Sequence, residues 1–147
     1  MFAHVLAAVL LASNTTLPEV KPAAAATQVR AVALPLAEQL RVTLGRPACP
    51  SSVPLKTGGV FQCTVPFGDV AVPFLVRIEA SGALSVTQPW AVLTAATAAY
   101  VAGPRAKCGA HKVLTGPVGS TIACTVAGKP VKVLITSLTG GVVAVPA

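Results

Sequence analysis

Acidic side chains, aromatic rings and long apolar runs are all scarce in this chain of 147 residues. Charged residues make up 10% of it and aromatic residues 4%, whereas apolar residues make up 54%. The large apolar share excludes a charged, disordered polymer. Because aromatic side chains are few, a hydrophobic core has to be built from Val, Leu, Ile and Ala. The length allows one domain or two very small ones.

The four acids all lie in the first part of the chain, and none follows residue 79. The formal net charge is +7. Beyond residue 79 the charged side chains are Arg105, Lys107, Lys112, Lys129 and Lys132. A basic half attracts anionic surfaces such as phospholipid headgroups or anionic wall polymers. The same residues could instead serve only to keep an apolar protein soluble, and both interpretations stay open.

Each apolar stretch is broken by Pro, Gly or polar residues, so none is long enough to span a bilayer. The N-terminus carries a short apolar run, Val5 to Ala12, followed by four alanines, Ala23 to Ala26, that suit a cleavage site. We therefore predict a signal peptide or flexible N-terminus over residues 1–26 and no membrane span in the mature chain. The predicted location is secreted or in the cell envelope.

The sequence repeats itself with a period of about sixty residues. The segment GRPAC ends at Cys49 and corresponds to GPRAKC, which ends at Cys108. In the same order, FQCTV around Cys63 corresponds to IACTV around Cys124. The repeat predicts two tandem modules, residues 27–88 and residues 89–147.

Each module opens with a helical pattern. In the first module Leu36, Leu40 and Leu44 recur at every fourth residue, which places them along one helix face. Pro35 is either the first residue of this helix or a kink in a longer helix that begins near Thr27.

In the second module Pro89 is predicted to start the helix, with Val92, Leu93, Ala96 and Tyr100 on its inner face. Four strand signals follow each helix. The predicted fold is therefore α+β, with two modules that each pack a helix on a four-stranded antiparallel sheet.

The strand signals rest on the alternation of apolar and polar residues. The clearest is Val70 to Glu79, in which the even-numbered apolar side chains are predicted to face the core. The weakest is Val53 to Lys56.

The four cysteines, Cys49, Cys63, Cys108 and Cys124, permit three disulfide pairings. In each module one cysteine lies just past the predicted helix and the other on the inward face of a predicted strand. The repeat therefore favours one disulfide in each module, 49–63 and 108–124, over the crossed pairings. Such a bridge would tie the helix to its sheet and contribute roughly 3 kcal/mol. A module of about sixty residues buries too little surface to be stable without such a bridge.

The first module resembles domain of unknown function family 4333, which occurs in secreted and envelope proteins of actinobacteria. The resemblance rests on Cys49, Pro50, Gly59, Phe61, Cys63 and Thr64. The second module is a degenerate copy, because Gly109 replaces the proline and Ile122 replaces the phenylalanine. The resemblance implies an exported, disulfide-bonded α+β module and brings no catalytic residues.

Metal, cofactor and catalytic sites lack the residues that they need. The cysteines form no C-x-x-C pair and His111 is the one histidine outside the N-terminal segment, so we predict no metal and no cofactor. His111 could in principle activate Ser120, but the orienting acid would have to come from the first module. Nucleic-acid binding is disfavoured because few aromatic rings are available to stack on bases.

The favoured interpretation is an exported, non-catalytic protein that binds an anionic cell-wall polymer, a membrane surface or an unidentified envelope protein. The alternative is a secreted inhibitor of an extracellular enzyme, because tandem modules with one disulfide each resemble the β-lactamase inhibitory proteins in architecture. A hydrolase is the third interpretation. Trp90 is predicted to pack between the modules, with an exposed binding residue as the alternative.

Overall fold

The computed structural model describes residues 21–51 and 57–146. Within them the chain forms two helices and three small antiparallel sheets. The helices are α1 (Pro22–Leu40) and α2 (Ala95–Ala102). The strands are β1 (Val60–Phe67), β2 (Val70–Ile78), β3 (Leu84–Thr87), β4 (Ala91–Thr94), β5 (Val113–Gly116), β6 (Thr121–Val126), β7 (Lys129–Ile135) and β8 (Val142–Val145). Neither helix is long and apolar enough to cross a membrane.

The α+β class is confirmed, but residues 21–51 and 57–146 form no four-stranded sheet of the kind predicted. The described sheets have the orders β1-β2-β3, β4-β5 and β6-β7-β8. Four strands do follow α2, yet the first of them, β5, pairs with β4 and not with the three-stranded sheet. The weak strand signal at 53–56 lies outside the described residues.

Helix α1 begins at Pro22, upstream of both predicted starts, and Pro35 lies inside it. A proline suits the first turn of a helix, where its missing N–H has no acceptor to lose. The buried face repeats every four residues and consists of Ala25, Val29, Ala33 and Ala37. Small side chains let this helix approach the sheet closely. The boundary predicted at residue 26 therefore falls within α1.

The three predicted leucines do not form the main contact of α1. Leu36 and Leu40 are half-buried and pack at the edge of the core. The helix ends at Arg41, which has a left-handed conformation (φ 55°) and donates its N–H to the carbonyls of Ala37 and Glu38. Leu44 lies beyond this end and bridges to β1, so the prediction that it continues the helix is wrong.

The second helix starts six residues later than predicted, at Ala95. Thr94 caps it, since its side chain accepts a hydrogen bond from the N–H of Thr97 at 3.1 Å. Val92 and Leu93 lie in β4, where both are buried on opposite faces of the strand. Tyr100 is 89% exposed and Ala96 is exposed as well, so the inward positions predicted for both are wrong.

The inward positions predicted in β2 are confirmed, since Val72, Phe74, Val76 and Ile78 are buried and Arg77 is exposed. Pro73, on the other face, is buried as well. Pro73 opposes Thr64 of β1, and Pro130 opposes Thr125 in the second half. Strands β3 and β8 begin to pair only two residues after each proline. A proline has no N–H to donate to a neighbouring strand. Each of these prolines lies beyond the paired part of β3 or β8, so no hydrogen bond of the sheet is lost there.

Two hydrophobic cores meet at the small sheet β4-β5. Val92 and Val113 are buried with the residues of α1, β1 and β2. Leu93 and the half-buried Leu114 belong to the second core, with residues of α2, β6 and β7. One two-stranded sheet thus contributes one face to each core.

The disulfides link Cys49 to Cys63 and Cys108 to Cys124, the pairing that the repeat predicts. The residue before the first cysteine of each pair bridges to the residue after the second one. In both halves this β-bridge has two main-chain hydrogen bonds of 2.8–2.9 Å. Each disulfide therefore holds a short extended segment against the edge of a three-stranded sheet. The prediction that Cys49 lies just past the helix and ties it to the sheet is wrong, because α1 already ends at Arg41.

Candidate functional site

Lys107 lies at the edge of the sheet β6-β7-β8. Its main chain exchanges two hydrogen bonds of 2.9 Å with that of Thr125, which in turn opposes Pro130 of β7. Residues directly opposite each other on antiparallel strands share a face of the sheet. Lys107, Thr125 and Pro130 are all exposed, so this row lies on the face turned away from the core.

Lys132 lies on the same face, one row along. It opposes Ala123 of β6 and Val145 of β8. Since successive side chains on a strand alternate between faces, Ala123 shares the face of Thr125. Lys132 is exposed, as the strand alternation predicts.

Lys129 and Arg105 lie at the end of this sheet. Lys129 begins β7 after a tight turn at Ala127 and Gly128, whose φ angles of 51° and 76° suit a two-residue hairpin loop. Arg105 lies in the turn after α2, two residues before Lys107. Strands are spaced by about 4.8 Å, so the backbones of the four cations lie within roughly 10–15 Å of one another. By the same alternation, however, Lys129 belongs to the opposite face of β7 from Lys132, at the exposed start of the strand. We call the outer surface that carries Lys107 and Lys132 the basic face; Arg105 and Lys129 are exposed at its end.

The charge of the basic face is not balanced by acids of its own half, because no acid follows residue 79. Within the part of the chain that the structure describes, the one ion pair joins His111 and Asp69 and involves no residue of the basic face. All four cations are exposed. The field of the patch is therefore directed into solvent and attracts anions over about one Debye length, roughly 8 Å at physiological salt.

Lys112, the fifth predicted cation, lies elsewhere. Its Nζ donates a hydrogen bond of 3.0 Å to the carbonyl oxygen of Arg41, the residue that ends α1. A cation at a helix C-terminus is favourable because the unpaired carbonyls there carry partial negative charge. Lys112 therefore joins the two halves of the molecule.

His111 makes a second link between the halves. Its Nδ1 lies 2.6 Å from Oδ2 of Asp69, in the turn between β1 and β2. The hydrogen bond from His111 lowers the pKa of Asp69 below its usual value of 3.8. The acid that pairs with His111 does come from the first half, as a catalytic triad with Ser120 would require. The Ser120 hydroxyl, however, donates its hydrogen bond to the Pro117 carbonyl oxygen at 2.6 Å and not to His111.

Among the described residues no group of three or more His, Cys, Asp or Glu side chains could hold a metal ion. The four cysteines are all in disulfides.

The first sheet provides an internal comparison for the basic face. Since Thr64 with Pro73 corresponds to Thr125 with Pro130, the register assigns Ala48 to the position of Lys107. In the same way Leu75, two residues after its proline, corresponds to Lys132. The two cations in the centre of the basic face thus replace small or apolar residues of the first half.

The equivalent face of the first sheet carries Trp90. This indole is 39% exposed and lines a groove with Pro89 and residues of β1 and β2. The prediction that Trp90 packs between the modules is therefore wrong, and its exposure agrees with the alternative of an exposed residue. Pro89, directly before Trp90, fixes the backbone φ angle at that point, which is a signal in the sequence for a rigid segment.

Comparison of the chain with family models, with curated proteins and with solved structures finds no significant match. The geometry described above is therefore the basis for the functional proposals.

Proposed function

We propose that this is an exported, non-catalytic protein of the cell envelope that binds an anionic wall polymer through the basic face. The observation that carries the proposal is that Lys107 and Lys132 share the outer face of one sheet, with Arg105 and Lys129 exposed at its end, in a half of the chain that has no acid. For solubility alone, added Asp or Glu would help more than added Lys or Arg.

A polymer fits the basic face better than a bilayer does. The side chains beside Lys107 and Lys132 are Thr125 and Ala123, which are too small to insert into the acyl region. Binding would then be electrostatic, with each cation contributing about 1 kcal/mol near an anionic surface.

The two disulfides agree with an extracellular location, because such bonds persist in oxidising compartments. The signal peptide, the envelope location and the resemblance to family 4333 belong to this proposal. So does the division into two tandem modules, which the matched disulfides and β-bridges support.

A second candidate function, inhibition of an extracellular enzyme, is favoured by Tyr100. This side chain is 89% exposed and lines a shallow groove at the end of α2 together with Arg105. Tyr and Arg are enriched among the residues that dominate binding energy at protein interfaces. Such a target would bind at fixed stoichiometry.

The deciding experiment compares two double charge reversals. The test variant is K107E/K132E, and the control is R30E/R77E, which changes exposed arginines of the first half. Each reversal removes two charges, so both variants change the net charge from +7 to +3. Binding to polyglycerol phosphate and to phosphatidylglycerol vesicles would be measured by calorimetry at low and physiological salt.

We expect wild-type affinity for the polymer to fall as salt rises. K107E/K132E should weaken binding at low salt by about 2–4 kcal/mol, or roughly 30- to 1000-fold, because two attractions become repulsions. R30E/R77E should have a much smaller effect. Equal effects of the two variants, or no salt-dependent binding by the wild type, would refute the proposal. Capture of one envelope protein at fixed stoichiometry, without polymer binding, would favour the inhibitor.

A further inference from the structure

The groove beside Trp90 is formed on the outer face of the first sheet, away from the hydrophobic core. Gln62, Thr64, Pro73 and Leu75 line it from β1 and β2, and Pro89 and Trp90 line it from the segment after β3. Its volume is about 380 Å³. Small-molecule sites range over roughly 300–1,000 Å³, so there is room for a ligand of one or two rings.

The segment that carries Trp90 is held in place. The Gln88 side-chain amide donates a hydrogen bond of 2.7 Å to the carbonyl oxygen of Trp90, and Pro89 fixes the backbone between them. Ala91, the next residue, is fully buried in β4. The backbone that carries Trp90 is thus fixed on both sides, so a ligand need not order this segment on binding.

The same region of the second sheet lacks these features. Pro73 is buried in the groove, whereas Pro130, its counterpart by register, is exposed. Leu75 in the groove corresponds to Lys132 of the basic face. The two equivalent faces therefore have different chemistry, one neutral with an aromatic ring and the other cationic.

The geometry points to a binding site for a neutral pyranose oligosaccharide, with the sugar ring stacked on Trp90. The described residues that line the groove carry no charge, so an anionic ligand gains nothing there. One face of a pyranose ring presents weakly positive C–H groups, which suit the electron-rich face of an indole. The sugar hydroxyls need donors and acceptors, which the Gln62 amide and the Thr64 hydroxyl provide at the groove wall.

A proline-rich peptide fits this groove less well. Domains that bind such peptides use grooves lined by several aromatic rings. Here Trp90 is the one ring among the described lining residues, and its neighbours are aliphatic or polar.

Trp90 is the sole tryptophan of the chain, so its fluorescence reports on this groove alone. The full-length protein would be titrated with chitotetraose, with a proline-rich decapeptide and with polyglycerol phosphate. We expect a saturable change in emission with chitotetraose that does not depend on salt and persists in K107E/K132E. The inference thus stands or fails independently of the basic face.

Variants measured by calorimetry separate stacking from folding. W90A should weaken chitotetraose binding at least about tenfold, and W90F should keep part of the affinity because it retains a ring. Q62A should weaken it a few-fold, since it removes one hydrogen bond at an exposed position. The control is Y100A, which removes the other aromatic ring that is exposed among the described residues and should bind as the wild type does.

The inference is overturned if chitotetraose gives no saturable signal, or if folded W90F and Q62A both bind with wild-type affinity. Saturable binding of the peptide without binding of the sugar would also overturn it.

Discussion

Two adjacent residues of β4 should stabilise different halves of the molecule. Val92 and Leu93 are each 2% exposed, but Val92 packs into the core under α1 and Leu93 into the core under α2. Substituting either by alanine leaves a cavity in one core only. V92A and L93A therefore serve as controls for each other.

The expected magnitudes follow from the atoms removed. V92A deletes two buried methyl groups at about 0.8 kcal/mol each, which with the cavity left behind comes to about 2 kcal/mol. L93A removes more and should cost about 3 kcal/mol. Two kcal/mol corresponds to roughly a thirtyfold change in an opening equilibrium.

Hydrogen exchange read by mass spectrometry is the appropriate assay, because it resolves local opening along the chain. V92A should reduce protection mainly in α1, β1 and β2, and L93A mainly in α2, β6 and β7. If both variants reduce protection equally throughout, the molecule opens as one cooperative unit and the reasoning from two cores is wrong.

Three further predictions concern single contacts. C49A/C63A should lower the free energy of unfolding by about 3 kcal/mol, since the lost bridge joins residues 14 apart in sequence. Denaturant unfolding would measure this loss, and the rate of hydrogen exchange should rise first in the first half of the chain. The Asp69 carboxyl should titrate below 3.8 in an NMR titration. Because the pKa is lowered in the folded state, the contact with His111 stabilises the fold above that range, and this stabilisation is lost as pH falls through the lowered pKa. In H111A the titration midpoint of Asp69 should rise, and an unchanged midpoint would contradict the assigned cause. T94A should cost about 1 kcal/mol by removing the cap of α2, and thermal unfolding at an unchanged midpoint would argue against that role.

Much of the fold could be predicted where one face of a helix or strand is buried and the other is exposed to solvent. β2 satisfies that condition, so its alternation gave the correct inward residues. β4 does not, because Val92 and Leu93 are both buried, and a short apolar run buried on both faces has no distinguishing period. The buried face of α1 does leave a signal at Ala25 and Val29, but a run of alanines is equally typical of a signal-peptide cleavage site.

The basic face could be predicted only in part. The strand alternation placed Lys132 in solvent, and the repeat register was sufficient to align Lys107 with Ala48. The position of Lys112 depends on a contact with Arg41, 71 residues away in sequence. The pair of His111 with Asp69 spans 42 residues. Such contacts follow from how the two halves pack, and local pattern carries no information about that.

The two disulfides differ in how easily a thiol can reach them. Cys108 and Cys124 are 3% and 2% exposed, and Cys63 is fully buried, whereas Cys49 is only half-buried. Thiol–disulfide exchange requires an attacking thiolate to approach one sulfur in line with the bond, so access limits its rate. A mild reductant should therefore open the first bridge through Cys49 well before the second. During that interval the protein would carry a single accessible thiol, which makes it a natural target for mixed-disulfide formation and for site-selective labelling.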